Sequence, residues 1–195
     1  MTRPYAAWVA LAGMFGLCAL LGWPVAHDTL DWQPARAFTE PWRALTPIGV
    51  HYSAAHLIGN LAGVALAGLG GVAAMVPARL ACAWLAAWPL THLGLLLRPE
   101  LQHYGGLSGV VHAGIAALVV WVLATGRTRA QRVVGAAVAL GFVAKLLSET
   151  PWGSTLRQPE GWDITVAPLV HATGAIAGAL CALVAIAILR FSRTA

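Results

Sequence analysis

Six apolar stretches, each near the roughly 20 residues a helix needs to cross ~30 Å of hydrocarbon, lie at about 6 to 25, 53 to 76, 79 to 97, 107 to 125, 130 to 148 and 165 to 190. Hydrocarbon offers no partner to an unpaired backbone amide, so each stretch must be helical. Of the 195 residues, 59% are hydrophobic and 10% charged, and the mean hydropathy is +0.74. That leaves no room for a separate soluble domain. The chain therefore reads as all-α, one polytopic membrane domain over residues 1–195 built as a six-helix bundle. Its second and third spans are the least cleanly separated, by Val76-Pro77-Ala78. The first span is long for a secretory signal and lacks a clean small-residue cleavage site after it, so it is expected to be retained.

Net charge is +5, yet the arginines form no amphipathic face interleaved with aromatics, and no nucleic-acid partner is expected. They sort by loop instead. Arg3, Arg79, Arg127, Arg129, Arg132, Arg190 and Arg193 fall on one side of a six-span arrangement, against Arg36, Arg43, Arg98 and Arg157 on the other. The positive-inside rule then puts both termini in the cytoplasm. All seven acidic residues lie on the outer side: Asp28, Asp31, Glu40, Glu100, Glu149, Glu160 and Asp163. Cys18, Cys82 and Cys181 are odd in number and sit within spans, where they read as small apolar fillers rather than a disulfide framework or zinc site.

Two outer connections hold most of the irregular sequence. Residues 26 to 50, with Trp23, Trp32 and Trp42 in or beside them, suit a loop lying in the headgroup region, anchored by Trp42-Arg43. Residues 149 to 164 carry Pro151, Gly153, Pro159 and Gly161, and this breaker-rich loop is a candidate lid.

Depth supplies the functional argument. Ser108 begins a span descending from the outer side, and His171 sits about six residues into another, roughly 9 Å at ~1.5 Å per residue. His51 and His56 lie at the outer end of the second span, and Asn60, four residues on, shares a helical face with His56. Polar groups gathered in the outer third of a membrane bundle are costly, and a layer of them marks a candidate site.

Trp42-Arg43, His51-x4-His56-x3-Asn60, Gly106-x-Ser108-Gly109 and His171-x2-Gly174-x3-Gly178, in this order and on these spans, closely resemble the rhomboid intramembrane serine proteases. The resemblance covers essentially the whole chain. Lys145-x3-Glu149 on the fifth span and His112 after the serine motif are most similar to the rhombosortase branch. That branch is associated with surface proteins ending in Gly-Gly, an apolar helix and a basic tail. The resemblance implies Ser108 as nucleophile and His171 as general base, a dyad needing no carboxylate. It implies His56 and Asn60 as oxyanion donors with the Ser108 backbone amide, and a transmembrane protein as substrate. No cofactor and no metal are implied. The setting is an integral, membrane-lipid environment, that of a bacterial inner membrane with the site open to the outer side. Gly106 and Gly109 would allow close backbone approach, and Gly174 and Gly178 tight packing of the sixth span on the fourth.

Each residue also has a structural reading. A lone serine entering a membrane helix is commonly a cap or back-bonded, and a lone membrane histidine can be a satisfied helix contact. His51 divides between a structural hydrogen bonder and a helper for water or the oxyanion. His112 stands where many rhomboids carry a tyrosine packed on the base. Lys145 and Glu149, at i,i+4, most simply neutralise each other. His27, His92 and His103 carry no assignment. Two other classes are separable by observation: a membrane haem protein would show a Soret band, and an inactive rhomboid-like client binder would lack serine reactivity. A small transporter would need inverted repeats that the sequence does not display.

Overall fold

The computed structural model describes residues 3–126 and 128–194, with side chains up to residue 189. Seven helices follow one another: α1 (Ala6–Gly22), the single turn α2 (His27–Leu30), α3 (Ala54–Ala73), α4 (Ala78–Leu93), α5 (Ser108–Thr125), α6 (Arg129–Ser148) and α7 (Pro168–Thr194). Short 3-10 turns at Pro34–Arg36, Pro41–Ala44, Thr46–Gly49 and Gly94–Leu97 fill the connections. Among the described residues five helical stretches are long and apolar enough to cross a membrane, namely α3, α4 together with the turn Gly94–Leu97, α5, α6 and α7, and α1 is a shorter apolar helix. The protein is an all-helical polytopic bundle and an integral membrane protein. α1 ends at Gly22, three residues before the expected boundary, because the chain turns at Trp23-Pro24 and Gly22 meets the backbone of Gly49 too closely for any Cβ. Of the arginines used to assign the inner side, Arg127 and the side chains of Arg190 and Arg193 lie outside the described residues.

The break between the second and third spans is sharp. Met75 takes φ 52, Val76 is fully buried, and Pro77 precedes the first turn of α4. Proline cannot continue the preceding helix and suits the next one's start.

The core lies where α5 meets its neighbours. Trp8, Phe15, Leu80, Trp84, Leu107 and Val110 are among its fully buried side chains, and Trp84 Nε1 donates to the Val110 carbonyl at 2.7 Å. Apolar burial alone does not drive helices together in lipid, so close packing must contribute. A methyl built at Gly174 would strike the Gly109 carbonyl, and one at Gly178 the Ala113 carbonyl. The backbones of α5 and α7 are therefore in direct contact. α6 contrasts with this: of its residues only Gly135 is buried, and Val133, Val134, Leu140 and Leu147 are exposed to the surroundings that lipid would fill. Cys82 is also exposed on α4 and is not a packed filler, because its face points away from the bundle.

Arg43 turns into the first long loop rather than out of it. Arg43 is 4% exposed and Asp31 1%; the guanidinium donates to the Asp31 carboxylate at 3.0 Å, to the Asp31 and Asp28 carbonyls at 2.7 and 3.0 Å, and to Glu40. Arg43 is thus an internal knot of the loop rather than a side chain reaching headgroups, since it is buried and its Nε and Nη1 donate to acceptors of the loop itself. Trp32 pairs its backbone with Tyr104, which ties this loop to the segment that delivers Ser108.

Candidate active site

Ser108 is the first residue of α5, and the approach to it is set by glycine. Gly106 has φ 139, a conformation that residues with a Cβ rarely adopt, and its amide donates to the Pro47 carbonyl at 2.9 Å. A Cβ there would also press on the His56 ring. Gly109 faces Val170 and Thr91, where a side chain would collide. α7 begins at Pro168, so His171 lies in its first turn and not six residues deep as the apolar run implies; Pro168 supplies the start that hydropathy does not mark. The two residues are nonetheless level. Ser108 Oγ and His171 Nε2 are 2.9 Å apart.

The base is enclosed by three further side chains. His112 Nδ1 pairs with the Ser108 carbonyl at 2.7 Å, and its ring stacks on that of His171 with centroids 4.2 Å apart and planes 13° apart. A histidine here fills the stacking place that the sequence left open. Glu149 Oε2 lies 2.8 Å from His171 Nδ1, and Glu149 Oε1 2.8 Å from Lys145 Nζ. Lys145 also contacts His112 Nε2 and stands 3.4 Å from His171 Nδ1. The pair therefore does more than neutralise itself: the end of α6 carries Glu149 over the first turn of α7, beside the imidazole. Burial opposes ionisation of Glu149, but its hydrogen bond to His171 and the charges of His171 and Lys145 outweigh that and bring the carboxyl down to about 2.

Ser108 and His171 open onto a cavity of about 260 Å³ lined also by Tyr52, His56, His103, Tyr104, Gly105, Leu156, Ile164, Thr165, Val166 and Ala167. His56 is set by the start of α3, where the Ser53 hydroxyl caps the His56 amide at 3.1 Å. Its Nδ1, and the amide nitrogen of Asn60 one turn further along α3, are buried without hydrogen-bond partners. Asn60 does not line the cavity. His51 is 1% exposed beside His56, ring centroids 4.8 Å apart, and neither of its ring nitrogens makes a well-formed hydrogen bond. Burial, with the adjacent His56, lowers its pKa to about 4. His51 thus backs His56 without reaching the cavity wall. Gly174 and Gly178 touch α5, not the cavity.

Four residues at the site that the sequence reading did not count as site residues stand out: Lys145, Glu149, Tyr52 and Tyr104. Tyr104 is buried, donates to the Gly106 carbonyl at 3.2 Å, and has its pKa pushed up to about 12 by burial. Its place two residues before Gly106 was the one available signal. Of the unassigned histidines, His92 is buried away from the cavity with Nδ1 2.7 Å from the Ala44 carbonyl, whereas His103 lines the cavity and its Nδ1 meets Asp31 at 2.6 Å. The breaker-rich loop is fastened by the Arg157–Val166 backbone pair, by Arg98 on the Gly153 carbonyl at 2.7 Å and by Ser53 on Asp163 at 2.8 Å. Among the described residues no group of three metal-binding side chains occurs.

A serine and a histidine in hydrogen-bond contact at the ends of two helices of membrane length form the arrangement that intramembrane serine hydrolases use. The family model of the Rhomboid domain matches residues 39–188, and the chain belongs to the rhomboid family. That family comprises intramembrane serine proteases, which act on transmembrane substrates within the membrane. No curated protein matches the chain.

Proposed function

We propose that this protein is an active intramembrane serine endopeptidase in which Ser108 is the nucleophile and His171 the general base. The observation that carries this reading is the 2.9 Å contact between Ser108 Oγ and His171 Nε2 at the wall of an outer cavity. The serine proton passes to Nε2 as Oγ bonds to the scissile carbonyl carbon. The carbonyl oxygen then carries negative charge. Asn60 Nδ2 is a buried donor without a partner, as is His56 Nδ1 when it carries the imidazole proton, and such groups cost roughly 1–3 kcal/mol each until something satisfies them. An oxyanion would do so, joined by the Ser108 amide at the N-terminus of α5. His171 returns its proton to the leaving amine, and water then cleaves the acyl-enzyme with the same base.

The substrate class we assign is single-span membrane proteins cut near the outer face, with C-terminal Gly-Gly, apolar-helix and basic-tail signals as the particular form. The supporting features are Lys145-x3-Glu149 and His112, together with the narrow cavity beside Ser108. The arginine distribution supports cytoplasmic termini, and the membrane we assign is a bacterial inner membrane. The deciding experiment is fluorophosphonate labelling and reporter cleavage by purified wild type, Ser108→Ala and His171→Ala proteins. Wild type should label on Ser108 and cleave, and both variants should do neither while still inserting. Substantial cleavage by Ser108→Ala ends the serine-protease reading.

A further inference from the structure

We propose that Glu149 is a positioning residue that turns the Ser108–His171 pair into a three-membered relay, with Lys145 and His112 holding its carboxylate in place. The inference rests on the protease reading above and adds to it the selection of the base's tautomer.

The tautomers follow from the partners. His112 Nδ1 faces a carbonyl at 2.7 Å, so it carries the proton, and His112 Nε2 is bare and accepts from Lys145. Lys145 Nζ gives a second hydrogen to Glu149 Oε1 at 2.8 Å. Glu149 Oε2 remains for His171 Nδ1 at 2.8 Å. A carboxylate can only accept, so Nδ1 carries the proton and Nε2 is bare, able to take the proton of Ser108. The opposite tautomer has a competitor of its own: Lys145 stands 3.4 Å from His171 Nδ1 and would donate to it if that nitrogen were bare, leaving Nε2 protonated against Ser108 and the base useless. Glu149 decides between the two by lying closer and by drawing the ammonium onto its own oxygen. When His171 accepts the serine proton and becomes imidazolium, Glu149 balances the new charge 2.8 Å away.

Burial favours the arrangement. His171 is 7% exposed, so its imidazolium has little water to stabilise it and depends on fixed charge. The chain order Ser108, Glu149, His171 is also the serine, acid, histidine order of α/β-hydrolases, in which the acid orients the base.

The test uses full-length protein in bicelles and a small fluorophosphonate, which needs no knowledge of the natural substrate. Glu149→Gln should lower the maximal phosphonylation rate of Ser108 about 10- to 100-fold, within the range of acid–base contributions, with the half-saturating probe concentration unchanged. Glu149→Asp should recover part of the rate. A rate within about twofold of wild type in Glu149→Gln overturns the proposal. A second readout is independent of activity: imidazole 15N spectra of His-labelled Ser108→Ala protein should show one His171 tautomer, protonated at Nδ1, and Ser108→Ala/Glu149→Gln protein should show a mixture. An unchanged single tautomer overturns the proposal. Absence of labelling in wild type would instead strike the protease reading, and the spectra would still decide the role of Glu149.

Discussion

The α5–α7 interface and α6 both reach the same imidazole, and they are built in opposite ways. Between α5 and α7, glycines bring two backbones into contact, and the nucleophile and base stand in the first turns of those helices. α6 leaves nearly all its residues exposed, yet its last turn and C-cap deliver Lys145 and Glu149 to His171. Serine and histidine are thus placed by contacts that cannot slide. The groups that orient the histidine ride on the helix with least packing to hold it. A substrate entering from lipid beside α6 could displace it and disturb the orienting pair without moving Ser108 against His171.

The largest effect should come from breaking the glycine contact. Gly178→Val puts side-chain atoms into the Ala113 carbonyl, and overpacking of this kind costs about 1–3 kcal/mol, with more where backbone is the obstacle. Phosphonylation should fall to background and the thermal midpoint should drop. A variant with normal labelling would mean that α5 and α7 can separate without loss of the site, and the contrast with α6 would collapse.

Acid should separate the two regions next. His51, against the start of α3, has its pKa lowered to about 4, from about 6.5 when unfolded. The unfolded chain therefore binds the extra proton first, and stability is full above about pH 6.5 and declines as pH falls toward 4. Glu149 behaves oppositely: its folded value of about 2 lies below an unfolded value near 4.3, so its contribution persists until pH falls below about 4.3. Thermal midpoints measured from pH 7 to 4.5 should fall less steeply in His51→Gln than in wild type, and the slope in Glu149→Gln should match wild type. Equal slopes in all three proteins would remove His51 as the acid-sensitive point.

A smaller effect tests whether α6 moves as a body. A Cβ at Gly135 would lie 3.5 Å from the Val122 Cβ, a separation that a disulfide accommodates. In a background with Cys18, Cys82 and Cys181 replaced, oxidised Gly135→Cys/Val122→Cys protein should cleave a transmembrane reporter severalfold more slowly while keeping its fluorophosphonate rate. Undiminished cleavage would confine any motion to the outer end of α6 or to the fastened loop of residues 150–167. The smallest effect belongs to the exposed face: Leu140→Ala should change the thermal midpoint by less than the equivalent of about 0.5 kcal/mol, because Leu140 is 73% exposed and leaves no cavity behind.

What the amino-acid order determines by itself is whatever depends on periodic solvent matching and short spacing. Apolar runs of membrane length dictate the helices, since lipid permits no other backbone arrangement. Gly106-x-Ser108-Gly109 and His171-x2-Gly174-x3-Gly178 carry their residue types within one or two turns, so their shared depth is readable. Other features depend on which helix lies beside which, and local pattern is silent there. Lys145 and Glu149 form a complete i,i+4 pair on paper, and nothing in α6 reveals that the carboxylate's second oxygen meets His171, 22 residues away. Arg43 looks like an interfacial anchor until the loop folds around it and buries it on Asp31. The start of α7 at Pro168 is likewise hidden, because hydropathy runs on through residues 165 to 167 and the Arg157–Val166 pairing keeps Val166 out of the helix. Tertiary contact decides such cases because a polar group's role is set by its partner, and a partner distant in sequence leaves no periodicity to read.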